Sequence, residues 1–203
     1  MTFDDNLLAT LRANFATFTR SDSLNGERTA AVAVTIVCGD QGEAQFVLTR
    51  RSPKLRKHAG QWALPGGRID GNETAAQAAL RELDEEVGVA VEPGAIIGQL
   101  DDYATRSGFI ITPVVVWAGQ VDLVPNPDEV DVACALPIAD LNRDDAPIIE
   151  QLDDPDRPLI MMPLMGGVVF APTAAILFQF REVGLRGTHT RVAHFDQPKF
   201  AWK

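Results

Sequence analysis

The stretch that decides the fold is GRIDGNETAAQAALRELDEEVGV, residues 67–89, in which a glycine-rich turn leads into a helix with a carboxylate-rich end. Glu82, Glu85 and Glu86 lie at i, i+3 and i+4, so all three project from one helix face. Like charges at this spacing repel one another, and a purely structural helix gains nothing from them. A hard divalent cation such as Mg²⁺, which takes oxygen ligands, removes the repulsion. The stretch therefore predicts a metal-binding helix, and the alternative is a solvated acidic face.

The same stretch has seven specified residue types at fixed spacing: Gly67, Glu73, Arg81, Glu82, Glu85, Glu86 and Gly88. By chance such a set recurs in roughly one in a million chains of this length. The pattern resembles the Nudix box, so the chain is similar to the Nudix hydrolases, enzymes that cleave a nucleoside diphosphate linked to another group. The resemblance implies an α/β fold, a Nudix-type α/β/α sandwich with a mixed central sheet, and a diphosphohydrolase that uses Mg²⁺ or Mn²⁺.

The resemblance also implies roles for the acidic residues. Glu85 and Glu86 would be the principal metal ligands, and Glu82 would be a ligand or the general base. Glu129 follows a loop where some relatives place a further catalytic or metal-binding glutamate. The alternative for Glu129 is a surface acid among acidic neighbours.

Four further residues are expected to support this site. In the family, the positions of Glu73 and Arg81 pair in a salt bridge that braces the loop and the helix. The backbone carbonyl of Gly66 or Gly67 is a candidate metal ligand. Two adjacent glycines also allow the backbone to approach a substrate closely, so both are predicted to contact it.

Upstream of the box, five cations fall within eight residues of an otherwise acidic chain: Arg50, Arg51, Lys54, Arg56 and Lys57. With the segment that leads to Gly67, they resemble the signature of the coenzyme A pyrophosphatases, although Leu64 stands where that signature has Phe. This branch of the family splits coenzyme A, or its thioesters, into 3′,5′-ADP and a phosphopantetheine. Because coenzyme A carries a 3′-phosphate, which arginine can hold bidentately, Arg51 and Arg56 are the predicted substrate-binding residues.

Two other functions stay open from the sequence. One is a Nudix hydrolase of ADP-ribose, NADH or another nucleoside diphosphate derivative, for which the basic loop is the discriminating feature. The other is a ligand sensor without turnover, which need not keep the complete carboxylate set that this chain has. Trp62 and Tyr103 are candidates to stack on adenine, and core packing is the alternative for Trp62.

Composition limits the partners. A formal net charge of −10 over 203 residues argues against nonspecific binding to nucleic acid or to an anionic membrane. The expected partner is a small nucleotide, and a homodimer is left open. Cys38 and Cys134 lie far apart, and the N-terminus lacks the basic start and apolar run of a signal peptide, so a cytoplasmic location is expected.

The chain divides into three predicted segments: an N-terminal amphipathic helix and connector (1–27), a Nudix hydrolase domain (28–185) and a C-terminal tail packed on the domain (186–203). Helices are predicted over 3–18 and 174–183, besides the one that ends at Gly88. Residues 144–158 are acidic and rich in proline, which predicts a surface excursion.

Overall fold

The computed structural model describes residues 1–21, 28–55 and 58–198, so the predicted substrate residue Arg56 lies outside the described residues. The helices within these ranges are α1 (Asp5–Thr17), α2 (Ala75–Val87) and α3 (Thr173–Phe180). The strands are β1 (Arg28–Cys38), β2 (Ala44–Arg51), β3 (Trp62–Ala63), β4 (Gly66–Arg68), β5 (Ile96–Gln99), β6 (Tyr103–Ala104), β7 (Phe109–Gly119), β8 (Val130–Pro137), β9 (Ile148–Glu150), β10 (Leu159–Leu164) and β11 (Gly167–Phe170). None of the helices in these ranges has the length and apolar character needed to span a bilayer.

The central sheet is mixed and, in the described part of the chain, contains eight strands with the core order β3-β2-β1-β7-β5. β1 and β7 run parallel, with Arg28 opposite Phe109 at one end, and the other pairs of this sheet are antiparallel. β4 pairs with β1, β6 with β7, and β8 with β2. Most of β1 is buried and apolar, as expected for a strand that is covered on both faces.

Side chains of β1 alternate between two cores. Ala31 and Ala33 pack with the apolar face of α2, which includes Leu83 and Val87. Val34 and Ile36 belong to the second and larger core, to which α1 and α3 contribute. One helix therefore covers one face of the sheet and two helices cover the other, which confirms the predicted α/β/α sandwich.

A second, three-stranded antiparallel sheet has the order β11-β10-β9. Its strand β9 lies within residues 144–158, where Ile148–Glu150 pairs with β10. Most of this segment is exposed, including all of β9, as expected for a surface excursion. Alternate side chains of β10, from Ile160 to Leu164, are buried in the larger core. This small sheet and α3 pack together, and α3 ends in a π-helical turn, Arg181–Leu185, instead of continuing as an α-helix to residue 183.

The chain after this turn lies against the domain. Val192 and Phe195 are buried in the larger core. Asp196 forms an isolated parallel bridge with Leu159 at the start of β10, and its backbone N–H donates to the carbonyl of Pro158 at 2.8 Å. Residues 192–196 are therefore attached to the core and to the start of β10 in the small sheet.

Candidate active site

Helix α2 is fixed at both ends by local signals. Thr74 is its N-cap: the Thr74 side chain accepts from the Gln77 N–H at 3.2 Å, and the Gln77 side chain accepts from the Thr74 N–H at 2.9 Å. Gly88 ends the helix in the left-handed conformation, with φ +70°. Because Leu83 and Val87 are anchored in the core, the rotation of the helix is set and its carboxylates are directed at strand β4.

The glycines of β4 make room for these carboxylates. A Cβ atom at Gly67 would lie 2.2 Å from Oε1 of Glu82, and one at Gly66 would lie 2.3 Å from the carbonyl oxygen of Ala31. The Gly66 N–H donates to Oε2 of Glu86 at 3.1 Å. Gly66 therefore lets β4 approach the backbone of β1 closely, and Gly67 leaves room for the Glu82 carboxylate.

Three carboxylates meet beside this strand. Glu82, Glu86 and Glu129 each offer one oxygen, and these oxygens lie within 4.8 Å of one another. Glu129 is brought there by a loop that is bonded to the end of α2, where the Asn126 N–H donates to the Glu86 carbonyl at 2.9 Å. The Ser52 N–H holds the Glu129 carbonyl at 2.8 Å. Such a set of hard oxygen donors fits a divalent cation.

Burial makes this cluster electrostatically unfavourable without a cation. Glu86 is 2% exposed, and its burial raises its pKa to about 7 against the opposing effect of the Gly66 N–H and of Arg51. Nη1 of Arg51 lies 3.7 Å from Oε1 of Glu86, which is an ion pair without a close hydrogen bond. Burial also raises the pKa of Glu82, and the charge of Glu129 acts in the same direction on both groups. A cation at the cluster would therefore displace a proton on binding.

Arg81 organises the outer side of the helix. Its guanidinium donates to both carboxylate oxygens of Glu73, at 2.8 and 3.1 Å, and to the Arg68 carbonyl at 3.0 Å. It also donates to Glu82 at 2.9 Å and to Glu85 at 2.8 Å. The side chain of Glu85 is 54% exposed, so the structure places this predicted ligand beside Arg81 and apart from the Glu82, Glu86 and Glu129 cluster.

A cavity of about 380 Å³ lies on the sheet face opposite α2. Ala30 and Ile111, which are partners in the β1–β7 register, form part of its floor. Trp62, Phe109 and Phe170 give it aromatic walls. Arg51 lines the cavity and also forms the ion pair with Glu86, so it joins the cavity to the carboxylate cluster.

Of the two predicted substrate-binding arginines, Arg51 lines the cavity. Its Nε is buried and has no hydrogen-bond partner within the described residues. Arg50 is instead bound to Asp131 at 2.5 and 2.9 Å. Arg28 and Arg68, which the sequence did not single out, place their guanidinium groups 4.7 and 5.4 Å from the ring centre of Phe109, an aromatic residue of the cavity wall. The register that brings them together joins segments far apart in sequence, so no local signal could have found them.

The two proposed stacking residues have different surroundings. Trp62 lines the cavity. Tyr103 is 1% exposed and its hydroxyl donates to the Phe195 carbonyl at 2.9 Å, so the predicted stacking role of Tyr103 is wrong. Its place in the fold is the core, where the hydroxyl needs a partner.

Solved structures share this fold. A MutT/nudix family protein from Enterococcus faecalis superimposes with a TM-score of 0.58 at 19% identity, covering 81% of this chain and 65% of that one. A NUDIX hydrolase from Nitrosomonas europaea gives a TM-score of 0.55 at 16% identity, covering 86% of this chain and 80% of that one. At these identities the likeness concerns the fold alone.

Similarity in sequence goes further than the fold. An uncharacterized Nudix hydrolase NudL of Pectobacterium atrosepticum is 43% identical over 114 residues, 55% of this chain and 58% of that protein. Nudix hydrolase 3 of Caenorhabditis elegans is 39% identical over 116 residues, 55% of this chain and 48% of that protein. The chain thus spans about half of the length of these curated relatives. The NUDIX domain model matches residues 27–154, more than half of the chain, and this chain therefore belongs to the Nudix family.

Proposed function

We propose that the chain is a metal-dependent diphosphohydrolase that cleaves the diphosphate bond of coenzyme A or its thioesters. The observation that carries the hydrolase proposal is the position of the Glu82, Glu86 and Glu129 cluster next to a cavity, with Arg51 between them. A diphosphate that lies along Arg51 would reach the carboxylates at one end. The rest of the substrate would then occupy the cavity.

The carboxylates have proposed roles as metal ligands and as a base. Glu82, Glu86 and Glu129 would hold Mg²⁺ or Mn²⁺, with the Gly67 carbonyl as a further ligand. When bound, the cation neutralises diphosphate oxygens and lowers the pKa of a water molecule. Glu82 has the alternative role of general base, in which its carboxylate takes the proton from the attacking water. Glu85 joins the ligand set only if it leaves Arg81, to which it is bonded at 2.8 Å.

The choice of coenzyme A is supported by charge and shape. Arg51 lines the cavity, and the signature position Arg56 follows it by five residues in the sequence. Arg28 and Arg68 lie over the ring of Phe109, and these cations close to the cavity wall suit a ligand with a phosphate besides its diphosphate. Aromatic side chains such as Trp62 and Phe109 suit a base or another flat group. ADP-ribose and NADH are the competing substrates within the same proposal.

The deciding experiment is a substrate panel with purified protein. Coenzyme A, its 3′-dephospho form, ADP-ribose, NADH and diadenosine polyphosphates are each incubated with Mg²⁺ or Mn²⁺, and products are identified by mass. We expect 3′,5′-ADP and phosphopantetheine from coenzyme A, with the highest kcat/KM of the panel. A clear preference for ADP-ribose or NADH would contradict the coenzyme A assignment and leave the hydrolase assignment in place.

The metal cluster is tested with Glu86→Gln, for which kcat should fall by about 10²-fold or more. Glu92→Gln is the matched control, because Glu92 is an exposed acid just beyond α2 and outside the cluster. It should retain wild-type turnover. Near-wild-type turnover of Glu86→Gln would show that the cluster is not the reaction centre.

A further inference from the structure

One wall of the cavity lies outside the family match. It is formed by residues 168–173, where β11 joins α3, and by Gln197, whereas the NUDIX domain model ends at residue 154. Building on the proposed function, we propose that Gln197 contacts the substrate and selects the uncharged group attached to its diphosphate, and that the Arg106–Asp196 ion pair positions Gln197. The substrate group would be one that accepts a hydrogen bond.

The side-chain amide of Gln197 is buried and, among the described residues, only partly hydrogen-bonded. Gln197 is 7% exposed, and its Oε1 accepts from the backbone N–H of Arg106 at 2.7 Å. Its Nε2 lies 3.5 Å from the Ala171 carbonyl, which is the outer limit of a hydrogen bond. A glutamine amide carries two N–H donors, so Nε2 keeps donor capacity at the cavity. A buried donor without a good acceptor is costly, and a ligand that supplies the acceptor recovers that cost.

Asp196 holds this amide in place. Its two carboxylate oxygens accept from Nε and Nη2 of Arg106 at 2.7 and 2.5 Å, a bidentate ion pair. Oδ1 of Asp196 also accepts from the backbone N–H of Gln197 at 2.8 Å. Arg106 therefore contacts both residues, through its side chain to Asp196 and through its backbone to Gln197. This double attachment restrains the position and the orientation of the Gln197 amide.

The surroundings of Gln197 favour an uncharged partner. The other lining groups near it are apolar or hydroxylic, such as Phe170, Thr173 and Thr105. Among the described residues, the arginine that lines the cavity is Arg51, which forms an ion pair with Glu86. A charged group of the substrate is therefore better placed at Arg51 than at Gln197. A neutral acceptor, such as a base or an amide carbonyl of the substrate, matches the Gln197 amide.

The test is a comparison of steady-state constants for the full chain with coenzyme A. Gln197→Ala should raise KM about tenfold and leave kcat within about threefold, because one neutral hydrogen bond to the ligand is lost. Gln197→Glu keeps an acceptor for the Arg106 N–H and the side-chain length but has no donor, so its KM should also be raised. Gln45→Ala is the matched control, since Gln45 pairs with Pro137 at the far end of β2 from Arg51. A KM within twofold of wild type for Gln197→Ala, or full recovery by Gln197→Glu, would overturn the proposal.

The positioning role has a separate readout. Asp196→Asn should raise KM by itself, and it should add nothing when Gln197 is already alanine, because Asp196 acts through Gln197. A purely structural Asp196 would instead lower the melting temperature and leave the KM of the folded protein unchanged. Additive effects of the two substitutions on KM would exclude the positioning role.

Failure of the proposed function can be told from failure of this inference. Calorimetric titration of coenzyme A and of ADP-ribose in EDTA measures Kd without turnover. If wild type binds but hydrolyses nothing, the proposed function is wrong, and a higher Kd for Gln197→Ala still supports the contact. If wild type hydrolyses coenzyme A and Gln197→Ala keeps its KM, only the inference is wrong. A chain that neither binds nor hydrolyses these compounds overturns both.

Discussion

The carboxylate of Glu86 is deeply buried, and the groups beside it offset little of the free-energy cost of burying its charge. Among the described residues, the Gly66 N–H donates to this carboxylate at 3.1 Å, and Nη1 of Arg51 lies 3.7 Å from it. Burial raises its pKa from 4.5 to about 7. Between these two values the native protein holds a proton that the unfolded chain has released. The contribution of Glu86 to the stability of the metal-free protein therefore falls as pH rises through this window, and this contribution does not change further at higher pH.

The first prediction at this scale is that Glu86→Gln stabilises the metal-free protein at about pH 8 and has little effect at about pH 5. The full pKa shift corresponds to about 3 kcal/mol, which is an upper limit for the increase in the free energy of unfolding. Glutamine can still accept from the Gly66 N–H. Thermal and urea unfolding in EDTA at the two pH values measure the difference. Glu92→Gln should show no such pH dependence, and an equal effect of Glu86→Gln at both pH values would contradict the assignment of the pKa.

At the residue scale, the sequence predicted which carboxylates share a helix face but not how each is used. Glu85 lies four positions after Arg81, which is the spacing of a helical ion pair, so the pair competes with metal binding for the same side chain. The contribution of Glu129 depends on a loop that docks on the end of α2 through Asn126. Helix periodicity carries no information about such a contact. The metal-ligand roles stay predictions.

Helix α2 shows what a cap contributes to an element. The capping box of Thr74 and Gln77 makes two reciprocal hydrogen bonds, of which one uses the threonine hydroxyl as acceptor and the other the Thr74 backbone N–H as donor. Because the carboxylates sit at the other end of α2, the cap acts on stability and hardly on the cluster.

We therefore expect Thr74→Ala to lower the free energy of unfolding by about 1 kcal/mol, with little change in kcat. Denaturant unfolding combined with the coenzyme A assay measures both quantities. Thr10→Ala is the control: this exposed threonine donates to the Asn6 carbonyl inside α1, so its loss should cost much less. A destabilisation no larger than that of the control would show that the box is not a stabilising cap.

At the element scale, strongly periodic segments were predictable and short strands were not. The helix predicted over 3–18 is observed as Asp5–Thr17, and the helix predicted to end at Gly88 is Ala75–Val87. The β9-β10-β11 sheet was missed because its strands are short and β10 contains Pro163, a residue that argues against a strand. The π-helical turn after α3 also has no simple sequence signal.

At the scale of the whole molecule, a bound cation should raise the stability of the native protein. Three clustered carboxylates in a protein of net charge −10 repel one another, and a ligand that binds only the native state stabilises it. We expect Mg²⁺ or Mn²⁺ to raise the melting temperature at about pH 8, by an amount equivalent to about 2.7 kcal/mol at 100 times Kd. The effect should be smaller near pH 5.5, because Glu86 must lose its proton to bind.

The control is NaCl at equal ionic strength, which reproduces general screening but not coordination. Glu86→Gln should lose the specific response while keeping the response to salt. An identical shift with Mg²⁺ and NaCl would mean that the cluster binds no cation.

The sandwich and the family were predictable at this scale because one local stretch carries the whole pattern. The cavity was not, because its walls come from β1, β7, the β11–α3 junction and Gln197, which only the folded chain brings together. The predicted limits of the domain and tail, the homodimer and the cytoplasmic location stay predictions.

The carboxylate cluster and the far wall of the cavity come from different stretches of chain. Glu82, Glu86 and Glu129 all precede residue 130, whereas the wall uses residues 168–173 and 197. A chimera that took its C-terminal third from a relative would exchange the wall and leave every carboxylate of the cluster in place. Evolution could therefore change the range of ligands that the cavity accepts while the carboxylate cluster is inherited unaltered.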